Sequence, residues 1–286
     1  MNDKITIITI CYNAEKTIQK TLDSVYKQNY NNIQYIIKDG CSKDRTNEII
    51  ESNIQKFRNK NIEVLHISKP DTGIYDAMNQ AIEVSNGRWI NFMNSDDIFV
   101  DENVLNDIFK DKNYDFDILY GDSICEYQFF KDRKEFSLWI GDHSDFSSMP
   151  FSHQACFVAA SLMKTYMYDI SYKSAGDYNF LLKCYKEKKK FFKIKRIVSL
   201  CTMDGVSNTN LKRSYIESCR AKRENAFKCE SYMRQKVTLM LIFIRKILLT
   251  YMSENKKAVF IRSRQIANGF VLYDNIKELV EKEENI

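Results

Sequence analysis

Along the first hundred residues the apolar positions change period in a regular order. Lys4 to Ile10, KITIITI, is a β-branched run without a polar face, the composition of a strand buried on both sides. Cys11-Tyr12-Asn13-Ala14 breaks the run, and Ile18, Leu22 and Val25 then recur at helical spacing between Ala14 and Tyr26. Gln34 to Lys38 predicts a second strand, followed by a turn over 39–44. A second helix is expected over Thr46 to Phe57 and a third strand over Ile62 to Ile67. The theme repeats from Lys69. Asp71-Thr72-Gly73 is turn chemistry, and Ala77, Met78, Ala81, Ile82 and Val84 make a helix that Asn86-Gly87 ends. Trp89 to Met93 is a strand, with Asn94-Ser95-Asp96-Asp97 at its carboxyl end. Strands alternating with helices predict an α/β chain with a mostly parallel central sheet and crossover helices.

Past Asp97 the pattern loosens. A surface helix is expected over Asp101 to Asp111, a strand and turn over Ile118 to Asp122, and a hairpin or loop within 129–143. A His153-Gln154 pair enters an apolar strand that ends at Val158, and Asp177 opens a helix with Phe180, Leu181 and Leu182 on its apolar side. Lys189 to Cys201 reads as a strand and Asp204 to Asn208 as a loop. From Leu211 the chain turns basic, so 211–286 is set apart as a helical C-terminal extension after a main domain over 1–210, itself in two halves, 1–100 and 101–210. Val237 to Met252 is strongly apolar but interrupted by Arg245-Lys246, and its ~16 residues fall short of the ~20 that span a bilayer. The segment can pack inside its own domain, join two copies into a homodimer, or rest on anionic lipid. The acidic tail from Glu278 to Glu284 reads as solvated.

Composition narrows the classes. With 286 residues, 44% hydrophobic and 28% charged, the chain has the make-up of an ordinary globular protein, and a net charge of +5 is too mild for a nucleic-acid-binding signature. Eight cysteines are scattered without a CxxC pair, which disfavours a zinc ribbon or a thioredoxin-like site. The N-terminus enters a strand at once, with no secretory pattern, and a reducing cytoplasm is the expected compartment. No GxGxxG follows the first strand, so a dinucleotide cradle is disfavoured. Ligands of open α/β sheets bind outside the carboxyl ends of strands, where Tyr12, Asp39 and the 94–97 turn stand. Two adjacent carboxylates are costly unless a cation, a donor or solvent offsets them, and Mg²⁺ takes one or two carboxylates together with substrate phosphates.

TICYNAEKTIQKTLDSVYKQ (Thr9 to Gln28), IIKDGCSKDRT (Ile36 to Thr46), KPDTGIYDAMNQAI (Lys69 to Ile82) and NSDD (Asn94 to Asp97) resemble, in order and spacing, the N-terminal half of family 2 glycosyltransferases. The resemblance implies the GT-A fold, which is Rossmann-like, and an inverting enzyme of the bacterial cell-surface polysaccharide type. Its donor would be a nucleotide-diphosphosugar of the UDP-sugar kind. Its acceptor would be a hydroxyl of a saccharide or lipid-linked saccharide, and such an enzyme works in the cytoplasm or at the inner face of the plasma membrane.

By the same resemblance Thr9, Tyr12, Asn13, Asp39, Asp76, Asn79, Asn94 and Ser95 would face the donor, and Asp96 would ligate Mn²⁺ or Mg²⁺. Asp177 would be the general base. Asp97, His153 and Ser207, the last in a Gly-Val-Ser loop, would be accessory, with Asp97 either supporting Asp96 or capping a helix. Asn94 departs from the fuller DxD pattern and removes one anionic ligand. Two rivals follow: a non-catalytic module that holds a nucleotide-sugar or glycan, and a sugar nucleotidyltransferase, whose Gly-rich N-terminal signature is missing.

Overall fold

In the computed structural model, residues 2–130, 133–202, 210–267, 271–276 and 279 are described. The strands are β1 (Ile5–Cys11), β2 (Ile33–Asp39), β3 (Glu63–Ser68), β4 (Trp89–Phe92), β5 (Ile98–Phe99), β6 (Ile118–Phe130), β7 (Arg133–Trp139), β8 (Cys156–Ala159) and β9 (Phe191–Thr202). The helices are α1 (Ile18–Lys27), α2 (Thr46–Asn59), α3 (Ile74–Glu83), α4 (Val104–Phe109), α5 (Ala160–Tyr166) and α6 (Gly176–Lys186), then α7 (Leu211–Glu224), α8 (Tyr232–Tyr251) and α9 (Glu254–Ala267). The sheet runs β3-β2-β1-β4-β8-β6-β9-β5, with β7 pairing β6. Its first four strands are parallel, as the alternation of strands and helices predicts. Beyond β4 the sheet is mixed: β8 is antiparallel to both β4 and β6, and β6 is parallel to β9.

Because β1 is apolar on both faces, it feeds two cores. Ile5 and Ile7 pack with α1, α2 and α4 on one side, while Ile8 joins α3, α5 and α6 on the other. Helix α7 also belongs to the second core through Ala221. Two local expectations change. The helix expected over 101–111 is α4, six residues long, and Val104, Leu105, Ile108 and Phe109 are all fully buried, so it seals the sheet instead of skirting the surface. No turn forms at Gly121. A side chain there would meet the Arg196 carbonyl at 2.5 Å, so the glycine serves a close approach of β9 within a long strand, at a shift in register.

The C-terminal helices begin as part of the main body. The Glu217 carboxylate of α7 accepts from the backbone N–H groups of Lys173, Ser174 and Ala175, at 2.8 Å from Ser174. Arg262 of α9 donates from Nε to both oxygens of the buried Glu135 at 2.8 and 2.7 Å, and Tyr273 pairs with Phe136 through two 2.8 Å backbone bonds. These contacts cross the 210/211 line drawn from composition. Helix α8, in contrast, contains no buried residue.

Candidate active site

The carboxyl ends of β1, β2, β3 and β4 lie side by side, as parallel register requires, and each hands the chain to a polar loop. After β1, the Tyr12 ring stands 60% exposed, so a flat face is open to a ligand. Beside it Asn13 takes a positive φ of 50° and accepts from the Lys43 N–H at 2.9 Å, which ties the β1 loop to the β2 loop. After β3, the Asp71 carboxylate receives the fully buried Lys38 ammonium at 2.9 Å and the Gly73 N–H at 3.1 Å. Gly40 lies between the Tyr12 ring and Asp71. A side chain there would come within 2.9 Å of the Asp71 carboxylate and 3.3 Å of the ring, so only glycine leaves room. Removing the charge of Asp71 would strand a buried ammonium, typically a loss of ~3–5 kcal/mol. The sequence pattern marked Asp71 only as a turn former; its pairing with Lys38, 33 residues earlier, has no local signature.

Three residues assigned to the donor turn inward. Thr9 is fully buried, with its hydroxyl between Tyr35 OH at 2.9 Å and the Met93 carbonyl at 2.7 Å, so it steadies the end of β4. Asp39 is also fully buried and accepts from the Ser42 N–H and hydroxyl, Asn47 and Ser68. Burial opposes its charge, but these donors outweigh it and hold the carboxyl below its usual range. These bonds set the turn that carries Gly40 and Ser42. Asn79 spends its whole amide on the Tyr168 backbone, donating and accepting at 2.8 Å each. Asp76 remains near the surface in the first turn of α3, where it accepts from the Thr72 N–H at 2.7 Å and holds the 70–73 loop.

The turn after β4 carries the acidic pair. Thr21 of α1 pins it from below by donating to the Asn94 and Asp97 carbonyls at 3.2 and 2.8 Å. Ser95 and Asp96 are half-exposed, and Asp96 accepts from the Thr202 hydroxyl at 2.9 Å. Asp97 is buried and accepts from Gln154 Nε2 at 2.6 Å and the Thr202 N–H at 3.3 Å. Burial first, and the neighbouring Asp96 second, push its carboxyl up to about 7. β5 follows directly, so Asp97 caps no helix; it shares Thr202 as a hydrogen-bond donor with Asp96. Gln154, next to the predicted His153, emerges as the residue that holds it. Ser207 and its loop lie outside the described residues.

His153 and Asp177 meet at this turn from distant parts of the chain. A 3₁₀ turn over His153–Ala155 aims the imidazole between two partners. Its Nδ1 lies 3.4 Å from Asp177 Oδ2, and its Nε2 lies 3.1 Å from Asn94 Nδ2. Asp177, in the first turn of α6, also accepts from Tyr75 OH at 3.1 Å and the Tyr178 N–H at 2.9 Å. Beside it lies a small cavity of about 20 Å³ lined by His153, Asp177 and apolar side chains such as Phe92, Phe151 and Leu181. Gly176 is required here because a side chain would come within 2.8 Å of the Tyr75 ring. Burial alone would raise the Asp177 carboxyl, but His153, then the Tyr178 N–H and Tyr75, bring it below its usual range. A roomier cavity of about 590 Å³, lined by Lys186, Lys188 and Phe227 among others, lies at the other end of α6, away from this chemistry.

The acidic turn can be tested for a divalent cation by its donor set. Among the described residues no cluster of three or more His, Cys, Asp or Glu could hold a metal ion. What is present is one half-exposed carboxylate, Asp96, and a buried Asn94 Oδ1 with no hydrogen-bond partner. That set fits a hard cation that takes most of its ligands from phosphate and water.

Residues 6–163, more than half of the chain, match the family model described as Glycosyl transferase family 2. The PGL/p-HBAD biosynthesis glycosyltransferase Rv2957 of Mycobacterium tuberculosis is 26% identical over 221 residues, covering 74% of this chain and 82% of its own. WfaP of Escherichia coli, a UDP-Glc:alpha-D-GlcNAc-diphosphoundecaprenol beta-1,3-glucosyltransferase, is 34% identical over 108 residues, 36% of this chain and 39% of its own. The crystal structure of S. aureus TarS 1-349 in complex with UDP superposes with a TM-score of 0.57 at 21% identity, covering 82% of this chain and 69% of that one.

Proposed function

We propose, because the chain belongs to glycosyl transferase family 2, that it moves a hexosyl or N-acetylhexosaminyl group from a UDP-sugar to a hydroxyl of a saccharide or lipid-linked saccharide, with inversion at the anomeric carbon. The observation that carries this reading is the relay Asp177–His153–Asn94, which ties a half-buried carboxylate to the turn bearing Asp96. This supports a displacement in which one group acts on the attacking hydroxyl and the other on the leaving diphosphate, on opposite faces of the anomeric carbon.

In this reading Tyr12 stacks on the base, Asn13, Asp71 and Ser95 bound the donor, and Thr9, Asp39 and Asn79 hold those groups in place. A divalent cation, Mn²⁺ or Mg²⁺, held by Asp96 would supply positive charge to the diphosphate. Asp177 accepts the proton of the acceptor hydroxyl while that oxygen bonds to the anomeric carbon. The bond from that carbon to the diphosphate breaks in the same step, and the nucleoside diphosphate leaves with its electron pair. The Tyr75 hydroxyl and the Tyr178 N–H orient the carboxylate, and His153 holds it ionised. A lipid-linked acceptor would put this work at the inner face of the plasma membrane; WfaP, by its name, uses one.

A non-catalytic reading keeps one observation in its favour: Asn94 stands where an Asp would add a second anionic ligand. Turnover separates the two. Incubated with a panel of UDP-sugars, Mn²⁺ and saccharide or lipid-linked acceptors, the protein is expected to release UDP and to give a product of inverted anomeric configuration by NMR. Donor binding without UDP release would favour the binding module, a retained configuration would remove the single displacement, and pyrophosphate released from a nucleoside triphosphate would indicate a nucleotidyltransferase.

A further inference from the structure

Helix α8 is twenty residues long, about 30 Å, and none of its residues is buried. One face, with Thr238, Leu239, Ile242 and Leu249, is half-covered. The other carries Val237, Met240, Leu241, Ile244, Leu248 and Tyr251, each between 42% and 87% exposed. These six recur at three- and four-residue steps and form one continuous stripe. A stripe of this size on a soluble surface marks a contact that the chain alone does not make.

Charge selects what covers it. Residues 211–267 contain 14 Lys and Arg against 4 Glu and no Asp, a net +10 in a chain whose total is only +5. The remainder is therefore net acidic, and the basic excess is concentrated around α8. A second copy laid on this stripe would bring two strongly positive surfaces together, whereas anionic lipid reverses the sign of that interaction. Arg245 lies on the flank of the stripe, four residues after Leu241 and three before Leu248. Its Nε is buried without a hydrogen-bond partner. Burial, and then the Arg264 guanidinium of α9, disfavour its charge. The two guanidinium groups add to the positive charge along this side of the molecule. Among the described residues no helix is long and apolar enough to cross a membrane, so the contact lies along the surface.

We propose that α8 rests in the interfacial plane of a bilayer rich in anionic lipid, with the 237–251 stripe at the acyl boundary and the surrounding Lys and Arg on headgroup phosphates. This inference does not rest on the catalytic reading and is tested without turnover. The full chain is mixed with vesicles of phosphatidylcholine alone, or with about 40% phosphatidylglycerol, at low and high salt, and floated on a density gradient. At least about tenfold more protein should float with the anionic vesicles, and high salt should abolish the difference. Leu241→Glu combined with Leu248→Glu should lose flotation while retaining the far-UV circular dichroism and the Tm of the wild type. For the wild-type chain, hydrogen exchange should show vesicle-induced protection concentrated over 232–251, which keeps the test independent of that variant's folding. Failure to float, or equal flotation with neutral vesicles, would overturn the proposal. So would a dimer in sedimentation velocity whose α8 amides are protected without lipid, since the stripe would then belong to a second copy.

Discussion

His153 decides how Asp177 is charged, and the two side chains shift each other in opposite directions. Burial would lower the imidazole, but Asp177 first, then Asp97 and Asp96, outweigh it and raise His153 above its ordinary value. Asp177 moves the other way, below the usual carboxylate range. A neutral ring with its proton on Nδ1 accepts from the Asn94 amide as oriented. A protonated ring requires that amide to turn and present Oδ1, the atom that otherwise has no partner. The pair adds most to stability where both groups are ionised, above the unfolded carboxyl pKa near 4 and below the unfolded imidazole pKa of about 6.5. Its contribution fades as pH rises through the raised His153 value, and again as pH falls through the lowered Asp177 value. Without divalent cation, the difference in Tm between wild type and His153→Gln should be greatest at about pH 5–6 and shrink toward pH 9. A difference that stays constant across that range would mean the two side chains do not act as an ion pair.

At the scale of elements, α7 governs the loop that delivers Asp177. Glu217 gathers the N–H groups of residues 173–175 just before α6 begins, and Lys173 reaches on to the Thr72 carbonyl at 2.9 Å. The helix that carries Asp177 and the loop at Thr72 are thus linked through one carboxylate from the C-terminal helices and the Lys173 side chain. Glu217→Gln should lower kcat by about tenfold while changing the KM for the donor less than twofold, with rescue by Glu217→Asp, because a small displacement of a reacting group costs rate before it costs binding. Equal loss in both constants would make the contact merely structural.

This arrangement also marks how far local pattern reaches. β1 to β4 and α1 to α3 were legible because burial imposes short periods and the acidic turn follows a strand directly, whereas Asp96, His153 and Asp177 were singled out by the family resemblance and not by local period. Glu217 was legible in neither way, since it acts on a loop more than forty residues away. Nor was the inward direction of Thr9 and Asn79, which depends on Met93 and Tyr168 arriving from other elements. α4 was misjudged as a surface helix because a six-residue helix is too short for its period to reveal how completely one side is covered.

Over the whole molecule, two chemistries are separated. The carboxyl edge of the sheet gathers carboxylates and an exposed tyrosine. The C-terminal helices concentrate positive charge around an uncovered apolar stripe, where α8 would hold the enzyme against a lipid-borne acceptor while the sheet edge takes a soluble donor. The division of labour within the site rests on Asp177 acting in transfer and not in donor capture. The direct measurement is a comparison of Asp177→Asn with wild type for donor affinity by titration calorimetry with Mn²⁺ and for transfer rate under saturating donor. Donor affinity should stay within about twofold and transfer should fall by about 10²–10⁴-fold. Undiminished transfer, or a loss confined to donor affinity, would contradict the account.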